Sequence, residues 1–233
     1  MKRILSITGV VFLCGVAGCH VAGSGPTETA SEEIGAGKAE SVKADVRMGA
    51  GELHIEGGAA NLMSGSFRYS ERLGRPVVRY EVTGVNGRLT VEPAKESSSG
   101  GKVNVWDLRM GSEVPLAMTV TLGAGESTLD MSRIALRSME VDMGVGEMVL
   151  NVAGKYPRDV TVEVNGGVGE ARIQLPSAMG AVVDATGGIG GITTNGLTKR
   201  DGKYYNDAYA EGKPAVRMEV HGGVGDIKLS VGE

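Results

Sequence analysis

Six copies of one short phrase constrain this chain more than anything else in it. They read Gly49-Ala50-Gly51-Glu52, Gly123-Ala124-Gly125-Glu126, Gly144-Val145-Gly146-Glu147, Gly167-Val168-Gly169-Glu170, Gly188-Ile189-Gly190-Gly191 and Gly223-Val224-Gly225-Asp226. Each copy lies between two stretches in which apolar and polar residues alternate. Leu116, Met118, Val120 and Leu122 alternate before the second copy, and Ser127, Leu129 and Met131 follow it. Met139, Val141 and Met143 precede the third, and Met148, Leu150 and Val152 follow. Period-two alternation marks half-buried strands. From the second to the fifth copy the first glycines are 21, 23 and 21 residues apart. A fixed period of that size marks a stacked repeat, whose units bury their apolar faces on one another. The unit therefore reads as strand, Gly-x-Gly corner, strand, turn. The expected fold is all-β, a solenoid-like stack of repeats of about 21 residues with parallel pairing between rungs. An antiparallel β-sandwich of hairpins is the alternative.

The glycines have a structural reason at a corner. Glycine takes positive φ without a Cβ penalty and lets backbones approach closely. A dinucleotide loop would need a third glycine three positions on and then a helix. Those positions are His54, Thr128, Val149, Arg172, Thr193 and Lys228, and strands follow. The corner pairs Gly49 and Gly51, Gly123 and Gly125, Gly144 and Gly146, Gly167 and Gly169, Gly188 and Gly190, Gly223 and Gly225 are accordingly read as structural. Glu52, Glu126, Glu147, Glu170 and Asp226 follow five corners. Stacked in register they would stand about 5 Å apart, either recruiting a cation between them or bonding corner amides and facing water. The second reading is preferred, because the β-roll calcium motif has a shorter period and a different Asp position.

The section from Asn61 to Val114 is irregular, with strand-like pieces at 66–70, 77–82, 89–92 and 102–108. It holds Phe67, Tyr69, Tyr80 and Trp106, and Ser97–Gly101 reads as an exposed loop. It is expected to cap the first end of the stack, since a bare terminal rung exposes its core and its strand edge. The N-terminus reads as an export signal. Lys2 and Arg3 precede a short apolar run from Ile4 to Ala17 that is too short to span a bilayer. Val16-Ala17-Gly18-Cys19 resembles the lipobox of bacterial lipoproteins, which implies cleavage of 1–18 and acylation at Cys19. The only other cysteine, Cys14, leaves with the signal, so the mature chain can form no internal disulfide. Residues 19–41 carry no apolar periodicity and read as a flexible tether. The β body spans 42–233, irregular over 42–113 and regular over 114–233.

Charge and composition narrow the function. The full chain has a formal charge of −4, and loss of Lys2 and Arg3 leaves 22 basic against 28 acidic residues, or −6. That balance argues against nucleic acid as a partner. His20, His54 and His221 have no partners at metal-site spacing, and neither Gly-x-Ser-x-Gly nor His-Glu-x-x-His occurs. No catalytic residue, metal site or cofactor is assigned. The competing class is a polysaccharide-processing enzyme, because two carboxylates brought together by a fold suffice for glycoside cleavage.

The segment Thr198–Pro214 stretches the last repeat spacing to 35 residues and concentrates Tyr204, Tyr205 and Tyr209. Insertions in a solenoid form loops on one face, often the binding face. These tyrosines are thus the candidate partner-binding residues, or else a cap on the open end of the stack.

Trp106-Asp107-Leu108, Val114-Pro115-Leu116, Leu122–Glu126, Leu136–Asp142 and Gly144–Glu147, with Phe67-Arg68-Tyr69 and Gly87–Val91, together resemble the toast-rack family of adhesin-like bacterial β-repeat domains. The resemblance covers about Val42 to Val231. It implies an envelope protein and carries over no catalytic residues. The expectation is a non-catalytic, lipid-anchored scaffold, adhesin-like or sensor module, in the outer membrane if the host has one, whose partners are the membrane through the lipid and an envelope protein or glycan.

Overall fold

The computed structural model describes residues 26–94 and 103–232. It contains fifteen strands and one 3-10 turn at Glu71–Leu73. The strands are β1 (Thr27–Ile34), β2 (Ser41–Gly57), β3 (Met63–Ser70), β4 (Val77–Thr83), β5 (Asn86–Glu92), β6 (Asn104–Met110), β7 (Leu116–Asp130) and β8 (Leu136–Asn151). They continue with β9 (Val160–Leu175), β10 (Gly180–Ile189), β11 (Ile192–Asn195), β12 (Thr198–Arg200), β13 (Lys203–Tyr205), β14 (Ala215–Val224) and β15 (Ile227–Val231).

Four of these strands, β2, β7, β8 and β9, run unbroken through a Gly-x-Gly corner, so each supplies one strand to each of two arms. They pair in parallel and hold one register through the corner, with a single shift where β7 meets β8, between Leu116 and Ala117. This is the expected parallel stack rather than the antiparallel sandwich. The corner changes the phase of the alternation. Around the β8 corner the buried residues nearest it are Met139, Val141 and Met143 on one side and Met148 and Leu150 on the other, with Val152 just past the strand end. One residue is thereby added to the period of two. In a straight strand such a slip would turn the second half inside out. Combined with a bend, it keeps both arms facing one shared interior, as a bulge does.

Val46, Leu53, Val120, Leu129, Val141, Leu150, Val162 and Ile173 form the centre of that interior. Each aliphatic side chain fully removed from water contributes about 1.5–3 kcal/mol. The core has few rings, and the largest sit at the first end of the stack. Phe67 and Trp106 face each other across β3 and β6, edge to face, with centroids 5.7 Å apart. The indole N–H of Trp106 donates to Asn104 Oδ1 at 2.8 Å, which satisfies the one polar atom of a buried ring.

Antiparallel additions cover both arms at the first end and the β10 arm at the other, where β11 pairs with β15 alone among the described residues. At the first end, β5 and β6 lie parallel to the two halves of β2 and together make one further rung. Outside it, β4 pairs with β5, while β3 and then β1 continue the other arm. The irregular section is therefore the cap that was expected. The reading of 19–41 as a tether needs correction over its second half. Thr27–Ile34 is strand β1, aligned along all of β3. Most of its residues stay exposed, so it is held by the ladder of main-chain hydrogen bonds and leaves no apolar period in the sequence.

At the other end the rungs do not follow chain order. β14 and β15 insert between β9 and β10/β11, so the sixth copy stacks on the fourth and the fifth copy becomes the last rung. Side-chain size is in keeping with this order at two positions, while Val183 and Ile192 of the end rung stand opposite Met218 and Ile227. The inserted rung points Met218, Val220, Ile227 and Leu229 inward and buries all four. The end rung points Ala185 and Thr194 inward at the aligned positions of Val220 and Leu229, and these lose little by having one neighbour instead of two.

Candidate functional site

Two surfaces answer to the sequence expectations: the column of corners and the Thr198–Pro214 insertion.

In stack order the second corner glycines are Gly51, Gly125, Gly146, Gly169, Gly225 and Gly190, and all have φ between +129° and +146°. That region is closed to side chains. A Cβ on Gly146 would also strike the carbonyl oxygen of Gly125 in the rung before it, and the same holds along the column. The first glycines have ordinary φ but the same crowding. A Cβ on Gly123, Gly144, Gly167, Gly223 or Gly188 would run into the carbonyl of the glycine beneath. Gly49 is the exception, with nothing within 4 Å of such a Cβ. The corner glycines are thus explained by backbone geometry.

The acidic row is real and in register. Glu52, Glu126, Glu147 and Glu170 are mutual partners along the ladder, and Asp226 precedes Ile227, the partner of Ala171. Its charge is answered locally at one end. Arg172 reaches Glu170 at 2.6 Å and Glu147 at 3.5 Å, and Lys228 reaches Glu170 at 2.7 Å. Asp226 Oδ1 accepts the Gly191 N–H at 3.0 Å, so the missing acid of the fifth copy is matched by a carboxylate from the rung below. Among the described residues, Glu52 and Glu126 form no ion pair. No group of three His, Cys, Asp or Glu among them is placed to hold a metal. His54 pairs with Asp107 at 2.8 Å in a shallow groove on the outer face of the second arm, lined also by Glu56, Arg109 and Asp130.

The insertion folds as the hairpin β12–β13, which adds to the free edge of β10 through Val182 and Val183. Tyr204 is not available as a contact residue. Only 8% of it is exposed, it joins the hydrophobic core, and Lys199 lies over its ring. It caps the end rung because β13 alternates faces, and Tyr204, opposite Val183, is turned inward. Tyr205 and Tyr209 remain half-buried and stack edge to face at 4.9 Å, with Arg200 over the Tyr205 ring. Arg217 pairs with Asp159 at 3.2 Å, and its pKa is raised by Tyr209 foremost and then by Asp159. Asp159 is pushed below the usual carboxylate range, chiefly because it accepts the Ala215 N–H and secondarily because Arg217 is near. Cys19, the expected lipidation site, lies outside the described residues, as do the 1–18 segment and the Ser97–Gly101 loop.

One feature of the corners is not flagged by periodicity. The residue between the two glycines is apolar in all six copies. The ladder aligns Ala50, Ala124, Val145, Val168, Val224 and Ile189 in one column. The sequence signal was present, but only the stacking order shows that the larger side chains are neighbours.

The structure is similar to that of a candidate cell-adhesion protein of Clostridium sporogenes, at 28% identity and a TM-score of 0.82, over 89% of this chain and 100% of that one. A candidate adhesin of Bacteroides fragilis aligns at 11% identity over 88% of this chain and 97% of that one, with a TM-score of 0.24. A candidate lipid-binding protein of Parabacteroides distasonis aligns at 14% identity over 90% and 94%, with a TM-score of 0.25. The last two superpose too poorly to carry an argument. No curated protein is similar to the chain. Residues 23–174 match the family described as the N-terminal domain of toast_rack, DUF2154, and with that share of its length the chain belongs to the toast-rack family.

Proposed function

We propose that this protein is a non-catalytic, adhesin-like module of the bacterial cell envelope, carried on a lipid at Cys19. The observation that carries the reading is the similarity along nearly the whole chain to the Clostridium sporogenes cell-adhesion candidate. The architecture agrees with it. A two-armed parallel stack presents long in-register rows of outward side chains, a form suited to contact rather than to enclosing a substrate. The apolar run before Cys19 and the small residues preceding it support export and acylation. A lipid anchor gains about 0.8 kcal/mol for each buried CH₂, so two or three chains hold the protein on a membrane. Residues 19–26 are then the connection between lipid and β1. The partner is an envelope protein or glycan, and Tyr205 and Tyr209 with Arg200 offer one contact face. The same surface would suit a scaffold or sensor role.

The experiment is fractionation of cells expressing the full chain and its Cys19→Ser variant. The variant is expected in the soluble envelope fraction or stalled as precursor, and unchanged membrane retention would sink the anchor. The enzyme class is tested separately by incubating the protein with peptidoglycan and acidic glycans. Turnover that disappears in Asp107→Asn or Glu56→Gln would replace the adhesin reading with a glycan-processing one.

A further inference from the structure

We propose that the corner column is a docking ridge for a protein surface that presents apolar side chains rimmed by Lys and Arg. This rests on the adhesin-like reading and gives it a site. Six large hydrophobic residues are exposed among the described residues, and four of them are corner residues: Val145 at 54%, Val168 at 49%, Val224 at 45% and Ile189 at 73%. A fifth, Val149, lies on the outer face of the second arm, two positions beyond Glu147. The register places the four side by side on consecutive rungs β8, β9, β14 and β10. At about 4.8 Å per rung they make a continuous apolar line of roughly 14 Å. Scattered exposed valines need no explanation, but a contiguous row does. Backbone geometry asks for glycine on either side of each of these residues and asks nothing of the residue between, so stacking does not explain why that residue is apolar.

The charge beside the ridge selects its occupant. On the second-arm side run Glu126, Glu147, Glu170 and Asp226, with Arg172 and Lys228 already engaged by Glu147 and Glu170. On the first-arm side the nearest column is Asp142, Asn165, His221 and Thr186, and beyond it stands the in-register acidic column Glu140, Glu163, Glu219 and Asp184. An anionic lipid surface would be repelled by these rows. A second copy set ridge to ridge would bring acidic flanks together, and like charges directly opposed are unfavourable. A glycan is best held by rings and convergent polar groups, and this line offers aliphatic side chains only. A partner with basic residues around an apolar stripe satisfies both parts of the surface. The insertion tyrosines lie elsewhere, Tyr204 and Tyr205 on the hairpin beyond β10 and Tyr209 in the segment after it.

The test uses the full-length protein and three labelled synthetic peptides, with alternating Leu and Lys, Ser and Lys, or Leu and Glu, followed by fluorescence anisotropy. The ridge is altered by combining Val145→Thr, Val168→Thr and Val224→Thr, which keeps shape and strand preference while adding a hydroxyl. Circular dichroism checks that the fold is kept. The Leu/Lys peptide is expected to bind, to bind at least about tenfold more weakly to the triple variant, and to weaken at raised salt. The Ser/Lys and Leu/Glu peptides are expected to fail. Equal binding of Ser/Lys, or unchanged affinity in the triple variant, overturns the ridge. Valine-dependent binding to phosphatidylglycerol vesicles, or valine-dependent dimerisation in sedimentation equilibrium, overturns the stated occupant. Unchanged peptide affinity in a protein that still needs Cys19 for retention strikes the ridge alone. Loss of the anchor result leaves the peptide measurements standing.

Discussion

The stack contains two kinds of rung. In β7, β8 and β9 one strand enters along the first arm, turns at Gly-x-Gly and leaves along the second. The rung on the far side of β2 is assembled from two separate strands, β5 and β6, which align with the two halves of β2 but share no corner. Both kinds fill the same interior, since Leu89, Val91, Trp106 and Leu108 are as buried as their counterparts in β7. They differ in what they ask of the neighbouring backbone. Beneath Gly123 lies the carbonyl of Gly49, whereas nothing lies beneath Gly49. The first corner glycine is therefore imposed by the rung below it, not by the bend it belongs to.

Mutations in the two kinds of rung can break or sharpen this comparison. The largest effect is expected for Val141→Asp, at the middle of the stack with rungs on both sides. An unpaired buried charge should cost about 3–5 kcal/mol in urea unfolding. A loss below about 1 kcal/mol would mean that the cornered rungs do not share one core. Next comes Gly144→Ala, whose Cβ would meet the Gly123 carbonyl, expected to cost about 2–3 kcal/mol. Gly49→Ala should stay within about 0.5 kcal/mol. Equal losses at the two positions would move the glycine requirement from stacking to the bend itself.

At the far end, Tyr204→Ala is expected to lose about 2–3 kcal/mol and Tyr205→Ala about 1 or less, because only the first is buried in the core. The reverse order would return Tyr204 to the role of surface contact. A smaller effect depends on pH. Asp159 accepts the Ala215 N–H at 2.8 Å and has its pKa lowered. Its contribution is present above the ordinary carboxylate range and is lost as pH falls through the depressed value. The melting-temperature gap between the wild type and Asp159→Asn should be full near neutrality and close under acid conditions. A gap independent of pH would deny the carboxylate its role in holding the start of β14. Glu140→Gln should change stability by less than about 0.5 kcal/mol, because the side chain is exposed on the outer face.

Much of this was legible in the residues. Period-two alternation determined which side chains face inward, because a pleated strand has only two faces. The Gly-x-Gly repeats determined where the chain bends, because only glycine tolerates both the positive φ and the close carbonyl, and they favoured a parallel stack over an antiparallel sandwich, a choice made by the pairing of β2, β7, β8 and β9. The absence of periodicity in Thr27–Ile34 concealed β1, since an edge strand held by main-chain hydrogen bonds writes no apolar pattern. The order of the last two rungs was also hidden. Both copies carry the corner signature, and the pairing of β14 and β15 with β9 decides their places. Tyr204 was one of three similar tyrosines until the pairing of β13 on β10 turned it inward. The apolar column was six unremarked residues scattered over the chain, and only tertiary stacking made neighbours of Val168 and Val224. Local sequence determines faces and bends because these depend on a residue and its immediate neighbours. Rung order, edge additions and surface rows depend on contacts between distant segments, and the tertiary structure alone decides those.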